Sequence, residues 1–133
     1  MLHSVLAVLA GYVTMVIIVI IGTVLAVRFI LHRPPAELRA SHPLPMPSAY
    51  LTANLLMSGL AALAGGCVTA SFAATSPLGH GIALAAFIAV MSLLSMKQAG
   101  ASQPRWYQIV LATVMPALAV VGAWLWMVRT AAK

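Results

Sequence analysis

The sequence predicts an all-α integral membrane protein, a four-transmembrane-helix bundle that forms a single membrane domain over residues 1–133. Two observations on composition predict this class. Of the 133 residues, 63% are hydrophobic and only 6% are charged, and the mean hydropathy is +1.07. Soluble domains carry about 25% charged residues, so this chain is suited to lipid rather than water. A third observation is that the apolar residues fall into four segments near the length of about 20 residues that a spanning helix needs.

The first predicted helix covers residues 2–30, and a loop of residues 32–49 follows it. The helix has no basic start, and its apolar run far exceeds the roughly 7 to 15 residues of a secretory signal core, which indicates a retained helix. The loop, HRPPAELRASHPLPMPSA, carries five of the eight prolines. Such a run favours extended polyproline II and predicts a stiff spacer, with a partner-binding proline motif as the alternative.

The other three helices are predicted over residues 50–72, 77–96 and 106–127. Ser76 and Pro77 supply start signals for the third of them. The basic residues around the spans divide into two groups: Arg28, Arg33, Arg39, Lys97 and Arg105 on one side, and Arg129 and Lys133 on the other. The positive-inside rule therefore predicts a cytoplasmic loop at residues 32–49 and both termini on the periplasmic side of a bacterial inner membrane.

Aromatic side chains lie near the predicted helix ends and support the same boundaries. Amphipathic rings prefer the depth of the lipid head groups, which predicts that these residues anchor the helices at the two interfaces. The predicted interface anchors are Tyr50, Trp106, Tyr107, Trp124 and Trp126.

The second helix is rich in small side chains at four-residue spacing. One ladder consists of Ser58, Ala62, Gly66 and Ala70, and a parallel one of Ala61, Gly65 and Thr69. Small residues let helix backbones approach closely in lipid, so these ladders predict a packing face wide enough for two neighbouring helices. Asn54 lies on the same face, where its amide is expected to hydrogen-bond to another helix.

Complementary small residues occur in the first and fourth helices, at Gly11, Gly22 and Gly122. Pro116 lies inside the fourth helix, where it removes one backbone hydrogen bond and predicts a kink. A hydroxyl such as that of Thr113 is expected to satisfy the freed carbonyl group. A kinked helix beside a face of small residues predicts a cavity that could take a ligand or a lipid.

Residues suited to catalysis are scarce. The sole acidic residue, Glu37, lies in the proline-rich loop, so no span offers the buried carboxylate that proton-coupled transporters use. The single cysteine, Cys67, excludes a disulfide within one chain. We therefore predict no catalytic residues, no metal site and no cofactor. Among the histidines, His80 stands between two glycines and is the first candidate for binding haem or a pigment.

From Tyr50 to about Leu125, the chain resembles a loose group of small four-span bacterial inner-membrane proteins of unknown function. The motifs that carry the resemblance are a tyrosine-led second helix with a glycine pair, a proline and histidine opening the third helix, and a Trp-Tyr pair opening the fourth. The residues are Tyr50, Gly65, Gly66, Pro77, His80, Trp106, Tyr107, Pro116 and Gly122. The resemblance implies four helices and a bacterial membrane location, but no activity.

A chain rich in packing faces and poor in ionisable groups predicts an accessory or assembly subunit of a larger membrane complex, or a homo-oligomer. Its expected partners are membrane lipids and other membrane subunits or copies of itself, and no nucleic acid. A carrier or binding protein for an apolar or weakly polar small molecule or lipid is the alternative. Binding of haem or a pigment through His80 is a third hypothesis.

Overall fold

A computed structural model describes residues 2–31, 47–73, 75–99 and 103–132 of the chain. It contains four long helices: α1 at Leu2–Ala26, continued by a π-helical turn at Val27–Leu31, α2 at Ser48–Phe72, α3 at Pro77–Ala99 and α4 at Arg105–Ala131. The described residues form no strand. Each helix is long and apolar enough to cross a membrane. The predicted all-α class with four membrane-spanning helices is confirmed.

Helix boundaries differ from the predictions by a few residues. The second helix begins at Ser48, two residues earlier than expected, so the last part of the predicted loop belongs to α2. The fourth helix extends to Ala131 rather than to residue 127. The predictions for residues 32–46, including the polyproline spacer, lie outside the described residues.

The helices are arranged around the bundle in the order α1, α2, α4, α3. Extensive contacts join α1 to α2, α2 to α4, and α4 to α3, whereas α1 and α3 are packed much less closely. Paired residues show the directions: Gly11 of α1 faces Gly65 of α2, and Gly22 faces Met57, so these two helices are antiparallel. The loosely packed side of the bundle therefore lies between α1 and α3.

The small residues of α2 bring this helix into contact with two neighbours. A Cβ atom built on Gly65 would lie 2.9 Å from the carbonyl oxygen of Gly11 in α1. A Cβ atom on Gly66 would overlap the carbonyl oxygen of Ala119 in α4, and one on Gly122 would overlap that of Leu63. The two ladders therefore face different helices, as their width predicted, and the chain's own helices fill both sides.

Hydrogen bonds between polar side chains join α1, α2 and α4 near the start of α2. The hydroxyl group of Thr23 in α1 donates to Asn54 Oδ1 in α2 at 3.2 Å. Asn54 Nδ2 in turn donates to the hydroxyl oxygen of Tyr107 in α4. Asn54 therefore hydrogen-bonds across helices, as expected, and it connects α1 and α4 through α2.

Two of the five predicted interface anchors lie inside the bundle. Tyr107 is 1% exposed and Tyr50 is 8% exposed, and both pack with Val27 in one cluster of apolar side chains. They cannot present their rings to lipid head groups, because neighbouring helices cover them. Trp106 and Trp124 are 52% and 49% exposed, and Trp126 is partly exposed.

The fourth helix continues through Pro116 as a single element from Arg105 to Ala131. The hydroxyl group of Thr113 donates to the carbonyl oxygen of Ile109 at 2.9 Å, with a longer contact of 3.4 Å to that of Val110. These bonds lie one turn before the carbonyl group that Pro116 leaves without its helical partner. The expectation that Thr113 satisfies that group is therefore wrong.

Candidate functional site

The predicted packing residues lie together in the contacts of α2. The set comprises Asn54, Ser58, Ala62, Gly65, Gly66 and Thr69, with Gly11 and Gly22 from α1 and Gly122 from α4. All of them are buried except Asn54, which is partly exposed. Because α1 and α4 cover most of this face, Ser58 is the only one of these residues that lines either of the two cavities described below.

Thr69 illustrates how tightly the contact between α1 and α2 is closed. Its hydroxyl oxygen is buried and has no hydrogen-bond partner among the described residues. A Cβ atom on Gly11 would overlap this oxygen. The hydroxyl group therefore lies against the backbone of α1, where there is no room for a bound molecule.

An outer groove of about 560 Å³ lies between the first halves of α1 and α3. Its volume falls within the roughly 300 to 1,000 Å³ typical of small-molecule sites. The lining residues are Ser4, Val5, Val8, Leu9 and Tyr12 from α1, and Ser76, Gly79, His80, Ala83 and Phe87 from α3 and the turn before it. The polar members lie near the starts of both helices, and the apolar members lie deeper. This gradient matches an amphipathic molecule with its polar end at the membrane surface.

The inner end of this groove is lined by an aromatic pair. The rings of Tyr12 and Phe87 meet edge to face, with centroids 4.8 Å apart and an interplanar angle of 86°. Aromatic pairs of this geometry are favourable beyond the area they bury. The pair joins α1 and α3 at a point where the two helices are otherwise loosely packed.

The polar end of the outer groove is organised by the turn between α2 and α3. Ser76 has a φ of 50°, a left-handed conformation that is uncommon for a residue other than glycine. Its carbonyl oxygen is 3.1 Å from Nδ1 of His80. Since a carbonyl oxygen only accepts, Nδ1 is the donor in this contact.

A second, inner cavity of about 150 Å³ lies towards the other end of the bundle. It shares no lining residue with the outer groove. Its lining residues are Met15, Val19, Ser58, Ser92, Ser95, Met96, Gln103, Gln108, Leu111 and Met115. No charged residue is among them, and five are hydroxyl or amide side chains.

Gln108 is the most unusual residue of the inner cavity. Its side chain comes from the first turns of α4 and is only 7% exposed. The Nε2 atom is buried and has no hydrogen-bond partner among the described residues. Buried polar atoms are nearly always hydrogen-bonded, so an unpartnered amide donor beside a cavity points to an acceptor held there.

Sequence reasoning missed Gln108 and the cavity it lines. Gln108 lies next to a Trp-Tyr pair, Trp106 and Tyr107, that indicates a membrane interface. The available signal was the set of neutral polar residues at facing ends of the third and fourth helices. Whether these residues line a common cavity depends on which faces of α3 and α4 meet α1, and this cannot be predicted from a single sequence.

The chemistry open to these cavities is binding rather than bond breaking. Among the described residues there is no group of three or more histidine, cysteine or acidic side chains that could hold a metal ion. The only cysteine, Cys67, donates to the carbonyl oxygen of Gly122 at 3.1 Å and lines neither cavity. His80 is the one histidine in the lining of either site.

Comparison of this chain with protein-family models, curated proteins and solved structures gave no match. The resemblance to small four-span bacterial proteins therefore stays a prediction.

Proposed function

We propose that this chain is a membrane-embedded binding or carrier protein for an apolar or weakly polar small molecule or lipid. The observation that supports this function is the outer groove between α1 and α3, with its volume of about 560 Å³. Three of the four neighbouring helix pairs around the bundle are closely packed, and this pair is not.

The lining of the groove suggests how such a molecule lies. Ser4, Ser76 and His80 would receive its polar end, and Val8 and Ala83 lie among the side chains that would contact its apolar part. The lining contains no acidic residue and no Lys or Arg. A neutral amphipathic molecule fits this site better than an anion or a cation, because the groove offers no full charge to pair with one.

The chain is also proposed to reside in a bacterial inner membrane with both termini on the periplasmic side. Arg28, Lys97 and Arg105 lie at one end of the described helices, and Arg129 lies at the other. The excess of positive charge supports a cytoplasmic location for the former end. In that orientation the polar end of the outer groove faces the periplasm.

An accessory or assembly subunit, or a homo-oligomer, stays a prediction from the sequence. The main support for this hypothesis was the small-residue face of α2, but α1 and α4 already pack against that face. The outer side of α1 remains available, since Ile17, Ile20 and Val24 are exposed, and lipid or another subunit would suit it. Native mass spectrometry from gently solubilised membranes tests this hypothesis, and a monomer without co-purifying proteins would contradict it.

Photo-crosslinking tests the proposed binding function. The protein is reconstituted in phospholipid nanodiscs with a neutral monoacylglycerol that carries a diazirine in its acyl chain, and labelled residues are mapped by mass spectrometry. We expect labels concentrated on groove residues such as Val5, Val8 and Ala83. Labels spread evenly over exposed residues of all helices, including Leu56 and Val121, would indicate ordinary boundary lipid and contradict the proposal.

A matched pair of variants on α3 separates the groove from the rest of the surface. Ala83 and Ala86 are both exposed, but only Ala83 lines the groove. We expect Ala83→Phe to fill the groove and reduce labelling on α1 several-fold, whereas Ala86→Phe leaves it unchanged. Equal labelling in the two variants would count against a ligand between α1 and α3.

A further inference from the structure

The inner cavity is a second site, distinct from the outer groove on which the proposed function rests. We propose that it binds the ring-sized head of a neutral molecule that carries an oxygen acceptor, such as a cyclic ketone, and that Gln108 Nε2 donates to that oxygen. Size, charge and hydrogen bonding each restrict the ligand.

The size of the cavity indicates a six-membered ring. Its volume of about 150 Å³ equals that of an engineered protein cavity known to bind benzene. Three of the lining side chains, Met15, Met96 and Met115, are methionines. Thioethers are flexible and polarizable, so these side chains can adapt to the shape of a ring.

The charge of the lining restricts the ligand to neutral molecules. The described residues include no Asp or Glu at all, and no Lys, Arg or His lines this cavity. Ser58, one of its residues, lies ten residues into α2, about 15 Å from the start of that helix. The cavity therefore extends towards the middle of the bilayer, where a full charge is expensive.

Hydrogen bonding supplies the preference for an acceptor. Gln108 is more than nine-tenths buried and its Nε2 atom lacks a partner among the described residues. The hydroxyl groups of Ser58, Ser92 and Ser95 lie around the same space and can also donate. A carbonyl oxygen in the cavity would satisfy the amide, which a hydrocarbon of the same shape cannot do.

The test uses two compounds that differ in one group, cyclohexanone and methylenecyclohexane. Both have the same six-membered ring, but methylenecyclohexane has a CH₂ group where cyclohexanone has its carbonyl oxygen. Full-length protein in nanodiscs, with ¹³C-labelled methionine methyl groups, is titrated with each compound at matched concentrations in the bilayer. We expect cyclohexanone to shift the signals of Met15, Met96 and Met115 at lower concentration, with little change at Met127, which is outside the lining.

The variant Gln108→Leu keeps a similar shape and removes both amide donors. Loss of one neutral hydrogen bond should weaken cyclohexanone binding by about 2- to 12-fold and leave methylenecyclohexane binding unchanged. Thr113→Val makes a comparable polar-to-apolar change on the same helix at an exposed residue outside the cavity, so it should preserve the preference for cyclohexanone.

Each other outcome overturns the inference in a defined way. Equal binding of the two compounds would show that the acceptor is not recognised. An unchanged preference in Gln108→Leu would remove Gln108 from the site. No methionine shift with either compound would show that the cavity does not bind a ring of this size. None of these results bears on the outer groove, because crosslinking of the monoacylglycerol tests that site separately.

Discussion

The contact between α2 and α4 at Gly66 provides a direct test of the close helix packing. A methyl group at Gly66 would overlap the carbonyl oxygen of Ala119 and lie 3.1 Å from the amide nitrogen of Ala123. Both are backbone atoms, so no side-chain rotation relieves the overlap. The two helices would have to separate by about 1 Å to relieve the overlap, which removes about half of the dispersion attraction between facing atoms.

Gly66→Ala should therefore lower the free energy of unfolding by about 1 to 2 kcal/mol. Overpacking a close contact typically costs about 1 to 3 kcal/mol, and a clash between backbones belongs in the upper half of that range. Replacing a helical glycine by alanine also stabilises the folded state by about 1 kcal/mol, because alanine has the higher helix propensity. The difference between these two effects gives the expected loss.

Gly59→Ala on the same helix is the matched control. The added Cβ atom would lie 3.2 Å from Cδ1 of Leu118, the end of a flexible side chain that can move away. Here the gain in helix propensity should dominate, leaving stability unchanged or up to about 1 kcal/mol higher. Reversible unfolding in dodecylmaltoside micelles with rising dodecylsulfate, followed by circular dichroism, measures both variants. Equal stability of the two alanine variants would refute the close backbone contact.

Three further predictions concern single side chains. Gln108→Leu, measured by the same unfolding assay without added ligand, should raise the free energy of unfolding by about 1 kcal/mol, because it removes a buried donor without a partner; a loss of similar size would contradict this. Asn54→Leu should lower it by about 1 to 2 kcal/mol through loss of the bonds to Tyr107 and α1, whereas Thr52→Ala, an exposed control, should change it by less than about 0.5 kcal/mol. If His80 binds haem or a pigment, the protein purified from its native membrane will show a visible absorption band that His80→Ala abolishes, and a colourless protein would rule this out.

The helices and the main packing contact could be predicted because they depend on short-range patterns. An apolar run of sufficient length specifies a membrane helix wherever it lies in the bundle. The spacing of Gly65 and Gly66 within their ladders indicated two packing faces on one helix, and the structure has α1 on one and α4 on the other. Asn54 was predicted to bond across helices because an amide within an apolar span needs a partner.

Predictions failed or ended where the answer depends on the rotation of one helix against another. Tyr107 has the sequence position of an interface anchor, yet α4 turns it into the bundle, where it accepts the bond from Asn54. Gln108 is one residue further along and also points inwards, and it lines the inner cavity. The sequence of one helix does not specify which helix covers each of its faces.

The sequence by itself determined that the chain is suited to lipid, that it has four helices and that α2 makes the central contacts. These properties depend on composition and on the spacing of residues within one helix. Only the tertiary structure decided where the bundle is incompletely filled. Small residues let α2 approach α1 and α4 closely, while the large rings of Tyr12 and Phe87 meet between α1 and α3. Close approach on one side and bulky contacts on the other leave space between α1 and α3, where the outer groove lies, and the inner cavity is lined by residues of all four helices.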